Sequence, residues 1–369
     1  YGLTLYFVSD DLNLSILSMG ILYNTASIFR GISGVISGML SDKTNFLYWI
    51  ILFALLSTIG SWIIAYSTDS NMFTIGVIIL GIGSGIYHPV GTSAITKYTI
   101  NTGKSLGYHS LGGAIGIALA PWFFINISSN YSWGMSYFIF GILTLPIVLI
   151  FFDKEIRNLK ENLKIPEQKH KLKIDYKKVS PIFVYASLKD FSISGLFLMI
   201  AIFINNLIKD SFFENTNYDF YTSLISSVII LFGGIGAFTG GYLDNKNSRK
   251  NILLYSCLFA GILFLFTSNN LLLIIIIFSM ISFLISSNDP SLGNWLGDSM
   301  PKNLHGTSFA LMYGLGQIVG SFSGTLAGVL LNYFSTTIYF KTLSVPLIIA
   351  SIVISYLYPK FKLIANQKN

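Results

Sequence analysis

Charge is what this sequence lacks. Asp, Glu, Lys and Arg make up 11% of its 369 residues, against roughly 25% in a soluble chain. Too few polar side chains remain to cover a water-facing surface of this size, so the chain must meet lipid. Cysteine is lacking as well: Cys257 stands alone, which excludes an intrachain disulfide and any disulfide-framework scaffold. Glycine has no period of three, which excludes a collagen-like chain, and a 53% hydrophobic share excludes a disordered one. There is no GxxxxGK[ST] phosphate loop, no HExxH and no paired-cysteine metal site. Neither ATP hydrolysis nor a bound metal or cofactor is expected. The net charge of +7 would raise the question of nucleic acid in a soluble domain; here its placement points to a membrane instead.

What is present is a series of long apolar runs. A helix needs ~20 residues to cross a ~30 Å hydrocarbon core. Eleven stretches reach or approach that length: Ser15 to Leu40, Phe46 to Ser67, Met72 to Tyr98, Leu106 to Asn126, Trp133 to Phe152, Val179 to Leu207, Thr222 to Leu243, Asn251 to Thr267, Leu271 to Asp298, His305 to Tyr333 and Tyr339 to Tyr358. The fold class expected is an all-α polytopic membrane protein.

An internal repeat organises these runs. GMLSD, Gly38 to Asp42, recurs as GGYLD, Gly240 to Asp244, 202 residues on. GKSLGYHSLGG from Gly103 resembles GTSFALMYGLG from Gly306, and His88-Pro89 matches Asp289-Pro290 at nearly the same offset. Three markers at one offset indicate a duplicated half. Subtracting 202 from Val179 to Leu207 gives about −23 to 5, so the sequence is expected to open inside a first helix that it mostly lacks. YGLTLYFVSDDLNLS then reads as the end of a span followed by an acidic loop. The expectation is two pseudo-symmetric six-helix bundles, over residues 1–152 and 181–369, joined by a polar linker over 153–180.

Orientation follows from lysine and arginine, which short translocated loops exclude. If the Asp42 loop is cytoplasmic, that side holds 19 of the 23, nine of them in the linker. The opposite side has Lys209 and Lys341. Both termini and the linker are therefore expected in the cytoplasm, with the protein multi-pass in the plasma membrane.

Two basic residues remain, Arg30 and Lys189, and both lie inside apolar spans. At 1.5 Å per residue they sit ~18 Å and ~15 Å from the inner surface. His88 and Asp289 reach a similar depth. A charge there costs at least ~2.5 to 3.5 kcal/mol, so each needs a reason to remain. One reading is internal pairing, with Lys189, Asp190 and Asp289 neutralising one another. The other is a polar cavity that binds solute or protons, with Arg30, His88, Lys189, Asp289 and Asn288 as substrate-binding candidates. Asp289, Asp190 and His88 are the proton-coupling candidates. Arg30 has no acidic residue between Asp11 and Asp42, whereas Lys189 has Asp190 beside it. Arg30 is thus expected to be the principal positive group of the cavity. Pro89 and Pro290 each remove a helix donor, and broken helices at matching depth are expected at both. GISG, Gly31 to Gly34, is readable as the serine site of an intramembrane protease, but small-residue helix packing explains it better.

These motifs resemble the major facilitator superfamily. GMLSDK and GGYLDNKNSRK are similar to its signature loop, which implies a cytoplasmic gate built from Gly38, Asp42, Gly240, Asp244, Arg249 and Lys250. The first copy departs from the pattern after Lys43, where TNFLY lacks the usual arginines. Gly107, Gly116 and Pro121 resemble the helix-five motif of antiporters and exporters in the superfamily, with Ala120 in place of a glycine. GSGIYHPVGTSAITKY resembles the fosmidomycin-resistance branch, whose fourth helix carries a similar YHP sequence. The resemblance implies secondary active transport by alternating access, most simply proton-coupled efflux of a small amphipathic or anionic compound, by a protein that needs no second copy to form its path. Uptake of a small organic anion is the alternative. A non-transporting membrane receptor or scaffold is the alternative of another class.

Overall fold

The computed structural model describes residues 8, 11, 12, 14, 16–153, 176–211 and 218–366. Each of the eleven apolar stretches is helical over most of its described residues. In chain order the helices are α1 (Ile16–Ser41), α2 (Phe46–Ala65), α3 (Ser70–Tyr98), α4 (Thr102–Asn130), α5 (Trp133–Thr144, continued as a 3₁₀ segment Leu145–Phe152), α6 (Tyr176–Ser211), α7 (Tyr218–Leu243), α8 (Arg249–Leu265), α9 (Leu271–Ser286), α10 (Asn288–Ser299), α11 (His305–Leu331), α12 (Thr336–Thr342) and α13 (Ser344–Asn366). Among the described residues, eight helices are long and apolar enough to cross a bilayer. The linker, apart from Asp153 and the residues from 176 that open α6, lies outside the described residues, as does most of the opening segment.

Short polar residues start the spans. Asn45, Asp69, Ser132 and Asn270 each accept a backbone N–H from the first turn of the helix that follows, satisfying donors that no lipid could satisfy.

The helices form two compact units by their internal packing, Tyr1–Thr99 with Phe123–Ile174 and Met300–Ile318, and Ile100–Trp122 with Asp175–Ser299 and Val319–Asn369. In the first unit, α1 is two-faced. Ile28, Ile32 and Ile36, one turn apart, are 59%, 52% and 51% exposed and form a lipid face. Opposite them Ser33, Ser37 and Ser41 are buried and donate to the carbonyls of Arg30, Gly34 and Gly38. Lipid tails are as apolar as leucine, so close backbone approach rather than hydrophobicity drives such packing. Gly60 and Gly76 provide it between α2 and α3: a Cβ on Gly76 would lie 2.6 Å from the Ile64 side chain. In the second unit Gly233 lets α7 settle on Ser282 of α9, and Phe203 and Phe278 pack as tilted rings against Phe340, with centroids 5.2 and 4.7 Å from it.

The two prolines behave differently. α9 ends at Ser286 and α10 begins at Asn288, so Pro290 does follow a break. α3 runs unbroken through Pro89, which corrects the expectation of two broken helices. The carbonyl that Pro89 deprives of a donor, that of Gly85, meets Gly34 of α1 instead, where a Cβ would come within 3.1 Å of the oxygen.

Candidate functional site

In the first unit a small, half-open cleft is lined by Arg30, Gly34, Gly85, His88, Tyr313 and Gln317, among others. Its floor exists because a Cβ on Gly85 would collide with the Arg30 carbonyl, so only glycine lets α1 and α3 meet there. Arg30 is partly buried. Among the described residues no carboxylate forms an ion pair with it. The His88 ring lies 5.6 Å from that of Tyr313, whose hydroxyl is 3.3 Å from Thr92 Oγ1. Two polar-edged rings and a guanidinium thus line one cleft, the guanidinium being a donor fork of the kind that binds an anionic group. Tyr313 and Gln317 were missed in the sequence, because no pattern links α11 to Arg30.

The same unit holds the Asp42 carboxylate, whose side chain is 4% exposed. Oδ1 accepts from Gly306 N at 2.7 Å and Lys97 Nζ at 2.8 Å. Oδ2 accepts from Thr307 N at 2.7 Å and Thr307 Oγ1 at 2.8 Å. Two orphan N–H groups at the start of α11 are thereby satisfied, and the negative charge meets the positive end of the helix. Gly38 makes the approach possible, since a Cβ there would lie 2.6 Å from the Gly306 carbonyl.

Its repeat counterpart Asp244, in the second unit, is held otherwise. Arg249 grips it with two bonds, Nε to Oδ1 at 3.1 Å and Nη2 to Oδ2 at 3.0 Å, and reaches Asp298 at 2.7 Å. Asn294 Nδ2 adds a bond of 2.6 Å. The reason is legible in the loops: no arginine follows Asp42, which leaves that carboxylate for α11, while Arg249 claims its counterpart. Lys250 joins no ion pair among the described residues. Gly240 lies against the Ser287 carbonyl and Gly107 lies 3.2 Å, measured from a built Cβ, from the Phe238 carbonyl. Gly116 has open space around it, and Pro121 lies inside α4 without ending it.

Lys189 is the buried cation of the second unit. Its ammonium lies 2.6 Å from Asp289 Oδ1 and 2.9 Å from Asp190 Oδ1. Side-chain exposure is 7% for Lys189, 23% for Asp190 and 41% for Asp289. Asn288 is fully buried and engaged at both ends, accepting from Ser256 Oγ at 2.6 Å and donating to Cys257 Sγ at 3.4 Å. It braces the start of α10 rather than facing open space.

A family model, Major Facilitator Superfamily, matches residues 1–324 and 191–366. The chain belongs to that superfamily. Its members are membrane transporters rather than enzymes. The superfamily chain is 22% identical over 350 residues to the sialic acid transporter NanX of Escherichia coli, covering 89% of this chain and 82% of that protein. It is 24% identical over 278 residues to the hexuronate transporter of Bacillus subtilis, covering 69% and 64%. A shorter match, 32% over 161 residues, is to the TsgA homolog of Buchnera aphidicola, covering 40% and 39%. The fold is that of the human organic anion transporter MFSD10, with a TM-score of 0.76 at 13% identity over 95% of this chain and 88% of that one. None of these relatives places the chain in the fosmidomycin-resistance branch.

Proposed function

We propose that this superfamily member is a proton-coupled secondary transporter of a small organic anion, working by alternating access as a monomer in the plasma membrane with both termini and the linker in the cytoplasm. The observation that carries the substrate class is Arg30: a guanidinium inside a span, unpaired by any described carboxylate and lining a cleft, is costly unless an anion visits it. NanX and the hexuronate transporter are named for acids that carry a carboxylate on a sugar, which supports the same class here. Lys189 supplies a second cation, Asp289 and Asp190 with His88 the protonatable groups, and Asp42 and Asp244 with Arg249 the gate.

Direction divides the observations. The glycine and proline pattern of α4 favours export, and the pairing of Lys189 favours uptake. Proteoliposomes loaded with or exposed to radiolabelled N-acetylneuraminate or glucuronate test the reading. Flux of either acid should respond to an imposed pH gradient and disappear with protonophore. Binding without flux would instead indicate a receptor, and flux indifferent to protonophore would remove the coupling.

A further inference from the structure

We infer that Lys189 is an anion subsite which Asp289 occupies as a stand-in, so that a substrate carboxylate binds there only as Asp289 takes up a proton. The inference rests on the anion reading above and adds to it the sign of coupling. One ammonium faces two carboxylates, at 2.6 and 2.9 Å, so the resting cluster carries one net negative charge. The two carboxylates are not equivalent. Asp190 is the next residue of α6 and stays beside Lys189 wherever α10 goes. Asp289 belongs to the first turn of α10, beyond the break at Ser287, and its side chain is 41% exposed. A carboxylate open to lipid inside a span would be strongly disfavoured. The open side of Asp289 therefore faces water or a solute path.

Charge conservation dictates what replaces it. A proton from water on that open side converts the Asp289 carboxylate to a neutral carboxylic acid, and Lys189 keeps its proton and its bond to Asp190. The cluster is then neutral, with one donor direction of the ammonium released. A substrate carboxylate that fills the vacated place restores one net negative charge, the same as in the resting cluster. No new buried charge is created at any stage. Proton and anion each raise the affinity of the site for the other by the same factor. They therefore travel together, and an inward proton gradient drives uptake of the anion.

Asp289 is the more open of the two carboxylates, 41% exposed against 23% for Asp190, and so the one that water reaches. Lys189, Asp190 and Tyr185 of α6 and Cys257 of α8 are the titratable groups that act on it. Tyr185 and Cys257 are bonded to each other at 3.1 Å and are neutral by their ordinary values. α9 carries no titratable residue, and those of α7 sit at its ends, at Tyr218, Asp219, Tyr221 and Tyr242.

Calorimetric titration of the full chain in detergent with glucuronate, at about pH 8 in two buffers of different ionisation enthalpy, counts the protons taken up per anion. The wild type should take up about one. Asp289→Asn, the neutral mimic, should bind glucuronate about tenfold or more tightly with no proton uptake. Binding by Asp289→Asn alone also supports the inference, since the stand-in then blocks the wild type. Binding by the wild type without proton uptake, or uptake that survives in Asp289→Asn, overturns the inference and leaves the anion reading intact. A folded wild type and a folded Asp289→Asn that both fail to bind glucuronate and N-acetylneuraminate overturn the two together.

Discussion

Arg249→Met tests whether the Asp244 network holds the second unit together. Arg249 has a side-chain exposure of 8% and Asp244 of 1%, and the substitution leaves that carboxylate buried with Asn294 as its remaining side-chain donor. Removing one partner of a buried pair costs ~3–5 kcal/mol, because the orphaned charge keeps its desolvation penalty. The Asp298 contact adds little, since that carboxylate is 57% exposed and screened. The readout is built into the molecule. Cys257 is the only cysteine, fully buried, and lies on α8 eight residues beyond Arg249. Labelling by a thiol-reactive fluorophore then follows the open population when opening is fast. The cost above corresponds to labelling faster by a factor of ~10² to 4 × 10³. The double variant Asp244→Asn with Arg249→Met removes both charges and should recover most of that factor. Labelling of the single variant within about threefold of wild type, or a double variant no slower than the single, would refute the reasoning.

Three further outcomes are expected. Asp42→Ala strips four hydrogen bonds from one carboxylate and leaves Lys97 unpaired; transport should fall by at least about tenfold, whereas Thr307→Val, which keeps the backbone N–H donors, should lower stability by only ~1 kcal/mol by thermal unfolding. Gly85→Ala places a methyl group against the Arg30 carbonyl and should destabilise the first unit by ~1–3 kcal/mol, measured by intrinsic fluorescence of Trp49, Trp62 and Trp133. Arg30→Lys should leave folding unchanged and weaken glucuronate binding by about tenfold, as a single point charge replaces a planar fork; unchanged affinity would remove Arg30 from the site.

Much of the fold was legible because lipid simplifies the code: apolar length gives the spans, and the Asp42 and Asp244 loops mark the repeat. The Lys189 pairing was half legible, since Asp190 is adjacent and Asp289 shares its depth. What stayed hidden depends on how helices rotate and cross. Nothing in the local sequence says that Thr307 meets Asp42, that Asn294 meets Asp244 or that Tyr313 stands beside His88, because these residues are 265, 50 and 225 positions apart in chains of small residues that offer several equally apolar faces. Pro89 misled for a related reason. Proline removes a donor without having to end the helix, and the Gly85 carbonyl it frees lies against Gly34 while α3 runs on.

The serines of α1 give that helix a mechanical character. Ser33, Ser37 and Ser41 each donate to a carbonyl of the preceding turn, and such back-bonding divides the carbonyl between two donors and softens the helix toward bending. Three softened turns in series lie between Arg30 and Asp42, along ~18 Å of axis. α1 is accordingly more like a leaf spring than a rod, with its compliance concentrated in the turns that separate the arginine from the carboxylate.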